Sequence, residues 1–233
     1  MFHFLEAATA DERTSELERF VEWWYGKRRP AYGEPQDRLH ALPTPLKRFY
    51  AFAGRWPAPG RPEQFFYTGG GIHHLRNLDS HSVRKDDKLN FFMEYQGDWH
   101  GLTLTAGDDP PVWISGRLDW SSRQRIRKVS DSLSAFLVTH ILMVTAYDDW
   151  NATRTGSASG SIDSLIAAGE RPVRIWSAEG CTCPNYDGEF FLLNDAVLIH
   201  QSGSFLQLAA IRPAGAECLR QLLPLFDDSP PDW

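Results

Sequence analysis

Cysteine is scarce in this chain: three residues in 233, an odd number that gives no disulfide framework. Cys181-Thr182-Cys183 is half a zinc site with no second pair, and Cys218 falls on a predicted helix, so turn cysteines and no bound metal are the expectation. Cations are also short. Lys and Arg total 24 against 30 Asp and Glu, a formal charge of −6, which argues against a nucleic-acid binder and would suit a basic protein partner. No apolar run reaches the length of a membrane span, and Met1 to Ala10 lacks the layout of a signal peptide, so cytoplasmic residence without membrane contact is expected. Catalytic signatures are missing as well. There is no Gly-x-Ser-x-Gly elbow, and Gly69-Gly70-Gly71 is not followed by the Lys-Ser/Thr of a phosphate loop. His73-His74 with His81 has no carboxylate at ligand spacing, so these read as surface histidines and no cofactor is implied.

What is present is ordinary core material, 42% hydrophobic and 23% charged, enough for one sizeable core. The centre runs from Leu89 to Val144. Leu89–Tyr95 reads as a strand, Gln96-Gly97-Asp98 as its turn, and Trp99–Thr105 as an alternating strand. Gly107-Asp108-Asp109-Pro110-Pro111 is a tight loop, and Val112-Trp113-Ile114 opens a third strand that Gly116 ends. Ser121 to Lys128 reads as a polar spacer. A helix then starts near Ser130, capped by Ser130 or Ser132, with Leu133, Phe136, Leu137, His140, Ile141 and Val144 on one stripe.

Upstream, Asp11–Tyr25 predicts a helix with Leu17, Phe20, Val21 and Trp24 inward, Gly26 as its stop, and Lys27-Arg28-Arg29 meeting its dipole. In Leu42-Pro43-Thr44-Pro45, Thr44 is placed to cap a second helix and Gly54 to end it in a left-handed conformation. Pro57 to Pro62 marks a turn-rich connection, and Gln64 to Tyr67 fits a short strand. Downstream, Asp148 to Ser161 reads as a polar loop of a length that suits binding. Ser161 caps a brief helix through Ile162, Leu165 and Ile166. Strands follow at Val173–Ser177, Glu189–Leu193, Ala196–Gln201 and Phe205–Ile211, with turns at Asn194-Asp195 and Ser202-Gly203. A last helix spans Pro213 to Leu223 before an acidic tail. The expectation is an α+β fold: N-terminal helices and a post-meander helix on one twisted antiparallel sheet. One domain is expected over 1–233, with 162–226 extending the sheet. Were the hairpins separate, the break would fall in Thr153 to Ser161.

The string LPTPLKRFYAFAGRWP, then FFMEYQGDWHG, DDPPVW and DSLSAFLVTHIL, resembles the SMI1/KNR4 (SUKH) superfamily. Leu42, Pro43, Leu46, Phe49, Tyr50 and Gly54 stand where members resemble one another in the first helix. Glu94, Gln96, Gly97, Trp99, Asp109, Pro110 and Trp113 do so in the meander, and Leu133, Phe136 and Leu137 in the closing helix. The likeness covers roughly residues 42–142. Tyr95 departs from it, standing where Asn is frequent, and the chain runs long beyond the closing helix. The resemblance implies an α+β domain without catalysis, commonly a bacterial immunity protein that binds and neutralises a cognate toxin, or a eukaryotic-type adaptor.

Glu94, Asp98, Trp99, Asp108, Asp109 and Trp113 form the candidate partner surface, because aromatics among charges are what protein interfaces use. Two other readings stay open. Cys181 or Cys183 with His200 could serve a hydrolase, which needs a thiol of lowered pKa. Carboxylates around Glu94 could do acid–base work on a sugar. Turn geometry also explains those acids.

Overall fold

The computed structural model describes residues 2–56, 71–73, 75, 78, 88–94, 97–116, 125–147, 154–183, 186–211 and 213–222. Expectations that fall on Pro57 to Pro62, Gln64 to Tyr67, Gly69-Gly70, His74, His81, Tyr95-Gln96 and the acidic tail lie outside them. The fold is α+β, with two antiparallel five-stranded sheets. Contrary to the expectation that 162–226 would extend the first sheet, the C-terminal strands build their own. The chain divides into two compact units: Ala8–Val138 with Gly180–Asn185, and Met1–Ala7 with Thr139–Glu179 and Tyr186–Trp233. The division falls inside a helix, not in the Thr153 to Ser161 segment. Among the described residues no helix is long and apolar enough to cross a membrane.

The first unit opens with α1 (Ala10–Tyr25), whose buried stripe is Thr14, Leu17, Phe20, Val21 and Trp24. Its start is a capping box. The Thr9 hydroxyl accepts the Glu12 N–H, and the Glu12 carboxylate accepts the Thr9 N–H and the Thr9 hydroxyl, two bonds that lower its pKa. Helix α2 (Thr44–Ala53) buries Leu46, Phe49, Tyr50 and Ala53. Thr44 makes no side-chain cap here; it is already helical, and its N–H donates to the Gly107 carbonyl at 3.4 Å. Gly54 is not left-handed either, with φ −60°. It is glycine because a Cβ there would lie 2.6 Å from the Tyr50 carbonyl and 2.7 Å from Glu34. Arg28 was expected to meet the dipole of its own helix. Instead its guanidinium donates to the Ala51 and Phe52 carbonyls, at 2.9 and 3.1 Å, and so caps α2.

The sheet is a meander in chain order: β1 (Gly71–Ile72), β2 (Lys88–Met93), β3 (Trp99–Leu104), β4 (Val112–Gly116) and β5 (Arg125–Ser130). A bulge between Asn90 and Phe92 breaks the alternation, so Phe91 and Phe92 are both buried, and each sets a ring edge-on against Phe136 at 5.7 Å. Strand β5 occupies part of the expected spacer. It is an edge strand with Ile126 and Lys128 exposed and Val129 buried, a pattern with too little apolar content to stand out. Helix α3 (Leu133–Tyr147) follows. The expected stripe is inside except for Val144, which is half-buried, but so are Val138, Thr139, Leu142, Thr145 and Ala146, so the helix is buried almost all round and not amphipathic.

The second unit has sheet order β6-β10-β9-β8-β7, with β6 at Arg154–Ser159, β7 at Val173–Ser177, β8 at Glu189–Leu193, β9 at Val197–Ser202 and β10 at Phe205–Ala210. Strand β6 corrects the described part of the Asp148 to Ser161 loop, Asp148 to Thr153 lying outside the described residues: its Gly/Ser-rich sequence pairs with β10 at the edge of the sheet. The β8–β9 turn is one residue longer than expected: Leu193 pairs with Val197, Asn194 and Asp195 are both left-handed, and Ala196 N–H donates to the Leu193 carbonyl. The next turn sits one residue later than expected, at Gly203-Ser204. Helices α4 (Ile162–Ala167) and α5 (Pro213–Leu222) supply Ile162, Leu165, Leu219 and Leu222 to a core with Phe191, Ile199, Leu206 and Leu208. Ser161 makes no side-chain cap; Gln201 Oε1 accepts the Ile162 N–H.

Candidate functional site

The six candidate residues do not converge. Trp99 opens β3, with Asp98 just before it and Glu94 just past the end of β2, whereas Asp108 and Asp109 lie in the loop after β3 and Trp113 lies in β4 opposite Leu102. The length of β3, six residues or about 20 Å at the usual rise, separates Asp98 from the Asp108-Asp109 loop, with Trp113 opposite its fourth residue.

At the first end, the Glu94 carboxylate accepts the Asp98 N–H at 3.3 Å, and the Glu94 carbonyl accepts the Gly97 N–H. Glu94 thus fastens its own turn. Asp98 is exposed. Trp99 is 5% exposed and stacked on Phe92 at 5.1 Å, so it is core and not an interface anchor. Gly116 allows that packing, since a Cβ on it would lie 2.1 Å from the Asp98 carbonyl.

At the other end the two adjacent aspartates have opposite roles. Asp109 points inward. Its Oδ1 accepts the Ser134 N–H at 2.7 Å, and its Oδ2 accepts Arg13 at 2.9 Å, the Ser132 hydroxyl at 2.6 Å and the Ser134 hydroxyl at 2.8 Å. Ser132 Oγ in turn accepts the Ala135 N–H, which completes the cap of α3. The Asp109 carboxylate and Arg13 are 18% and 15% exposed, so this is a structural clasp and unavailable to a partner. Asp108 is exposed. Its loop is held by Thr44 N–H on the Gly107 carbonyl, by the Thr103 hydroxyl on the Pro111 carbonyl at 3.0 Å, and by buried Pro110. Trp113 is half-buried, with the Lys88 ammonium 5.0 Å from its ring centre.

The chemical alternatives fare as follows. Cys181, Thr182 and Cys183 lie along edge strand β5: the Thr182 N–H donates to the Val129 carbonyl at 2.8 Å and Arg127 donates to the Thr182 carbonyl at 2.7 Å. Burial pushes the Cys181 thiol up and the Cys183 thiol further up, the opposite of what a nucleophile needs. His200 is buried with both ring nitrogens committed. Nε2 faces the Asp187 carbonyl at 2.7 Å and so carries the proton, which leaves Nδ1 to accept from Tyr147 at 3.3 Å. The carboxylates meant for acid–base work are split between the two ends of β3. Among the described residues no group of three or more His, Cys, Asp or Glu could hold a metal ion.

One polar cluster escaped the sequence reading. In the second unit His140 is buried, stacked on Tyr186 and hydrogen-bonded to its hydroxyl at 2.8 Å; desolvation lowers its pKa to about 3. Only its place on the apolar stripe hinted at this burial.

Compared with protein-family models, curated proteins and solved structures, the chain matches none.

Proposed function

We propose that the chain is a non-enzymatic protein-binding domain that neutralises a cognate toxin by occluding it, in the manner its resemblance to the SUKH superfamily implies. The observation that carries the reading is the Gly107–Pro111 loop. Asp109 is locked inward, while its neighbour Asp108 is held outward on a backbone tethered at Gly107 and Pro111. A loop already ordered loses little entropy on docking, so its contacts convert to affinity efficiently. An exposed carboxylate on a chain of charge −6 steers a basic partner. The interface is accordingly narrower than the sequence suggested: Asp108 with the exposed edge of Trp113, without Trp99 and Asp109.

The test is co-expression with toxin domains encoded beside the gene. Protection from one of them, and a purified complex, are expected. Asp108→Asn should then slow association about three- to tenfold at low salt and flatten its salt dependence, while Asp98→Asn leaves both unchanged. Absence of protection and of any complex would sink the reading. Equal effects of the two variants would replace a local interface by general charge.

A further inference from the structure

We infer that a cleft in the first unit binds a small organic carboxylate with an aliphatic or aromatic body. The cleft has a volume of about 480 Å³, within the range of sites for small organic ligands. Leu42, Leu75, Leu78 and Leu89 line it, Leu42 from the approach to α2 and Leu89 from β2. Three of these, Leu75, Leu78 and Leu89, are only 4–7% exposed, so the cleft has a firm apolar floor. That floor calls for an apolar body.

The rim calls for an anionic head. Arg38, His40 and Lys88 face the cleft, against a single carboxylate, Asp37, among the described lining residues. Among the described lining residues this is an excess of cations, in a chain of charge −6. The cations are not equivalent. Arg38 shares the Glu34 carboxylate with Arg55, and a His40 ring nitrogen is engaged by the Asp37 carbonyl. Among the described residues no carboxylate pairs with Lys88. Its ammonium is positioned by the Trp113 ring, which attracts the charge without neutralising it. Thr105, also on the lining, adds a hydroxyl donor to the cleft. A carboxylate on Lys88 with its tail over the leucines satisfies both halves of the site. Binding here does not depend on any protein partner.

Calorimetric titration of the full chain with decanoate, and with decyltrimethylammonium as the cationic counterpart, tests this. Saturable one-to-one binding of decanoate is expected, with the cation at least about tenfold weaker. Lys88→Glu should lose about tenfold or more in decanoate affinity, and Lys88→Arg should stay within about threefold. Leu78→Trp should fill the cleft and abolish binding. If that core variant does not fold, the Lys88 pair decides alone, its folding verified by circular dichroism. No decanoate binding, equal affinity for the cation, or Lys88→Glu binding as tightly as the parent would each overturn the assignment.

Discussion

Asp109 and Asp108 are chemically identical neighbours with different work, and the difference lies in their partners. Asp109 takes four hydrogen bonds from Arg13, Ser132 and Ser134. Asp109→Ala leaves the guanidinium and the first turn of α3 without their acceptor and is expected to cost about 2–4 kcal/mol in urea unfolding. A loss near zero would show that the clasp contributes nothing. His140 makes the second residue-scale prediction. Its folded pKa, about 3, is depressed below its ordinary value of 6.5 by burial, so between those values the unfolded chain binds the proton and the folded chain does not. Stability is therefore fully present above pH 6.5 and falls on acidification, with a slope approaching about 1.4 kcal/mol per pH unit. His200, lowered by the same cause, adds in the same direction. Urea titrations at pH 7 and pH 5 should show His140→Gln with a distinctly shallower dependence than the parent; equal slopes would place the proton uptake elsewhere.

At the scale of elements, close backbone approach decides more than propensity. Helix α2 ends against a loop that needs Gly33, where a Cβ would lie 1.9 Å from the Ala51 carbonyl, the same oxygen that accepts Arg28. Gly33→Ala is expected to cost about 2 kcal/mol or more and to lower the melting temperature. An unchanged melting temperature would mean that the loop can retreat. Such constraints explain which parts could be read from the sequence. The buried stripes of α1, α2 and α3 and strands β2 to β4 and β8 to β10 were readable, because periodic burial writes itself into residue order. Strands β5 and β6 were not. Each sits at an edge, pairs on one side only, and so carries RIRKVS and RTGSAS where a central strand would be apolar. The roles of Arg28 and Asp109 were hidden for another reason. Their partners lie 23 or more positions away, and no local pattern reports them. For the candidate site the residue types were found, but not that β3 would hold them apart.

At the scale of the whole molecule, strand pairing follows chain order almost throughout, and β6 alone closes its sheet from a distance in sequence. That leaves the sheets with outer strands, and one of them is partly sealed by the segment that first looked like a metal ligand. Thr182 supplies an N–H to Val129 on the rim of β5, with Arg127 folded over the join. The consequence concerns what the protein does at high concentration. A strand rim with open donors and acceptors recruits further copies of itself, and a backbone N–H already seated on it removes one attachment point. Thr182→Pro deletes that N–H, whereas Thr182→Ala keeps it. Light scattering across a concentration series is expected to show Thr182→Pro assembling into large aggregates while the parent and Thr182→Ala stay dispersed. Equal scattering from all three would mean that β5 needs no seal. On this account the Cys-x-Cys segment acts through the backbone between its thiols, which covers part of the β5 rim.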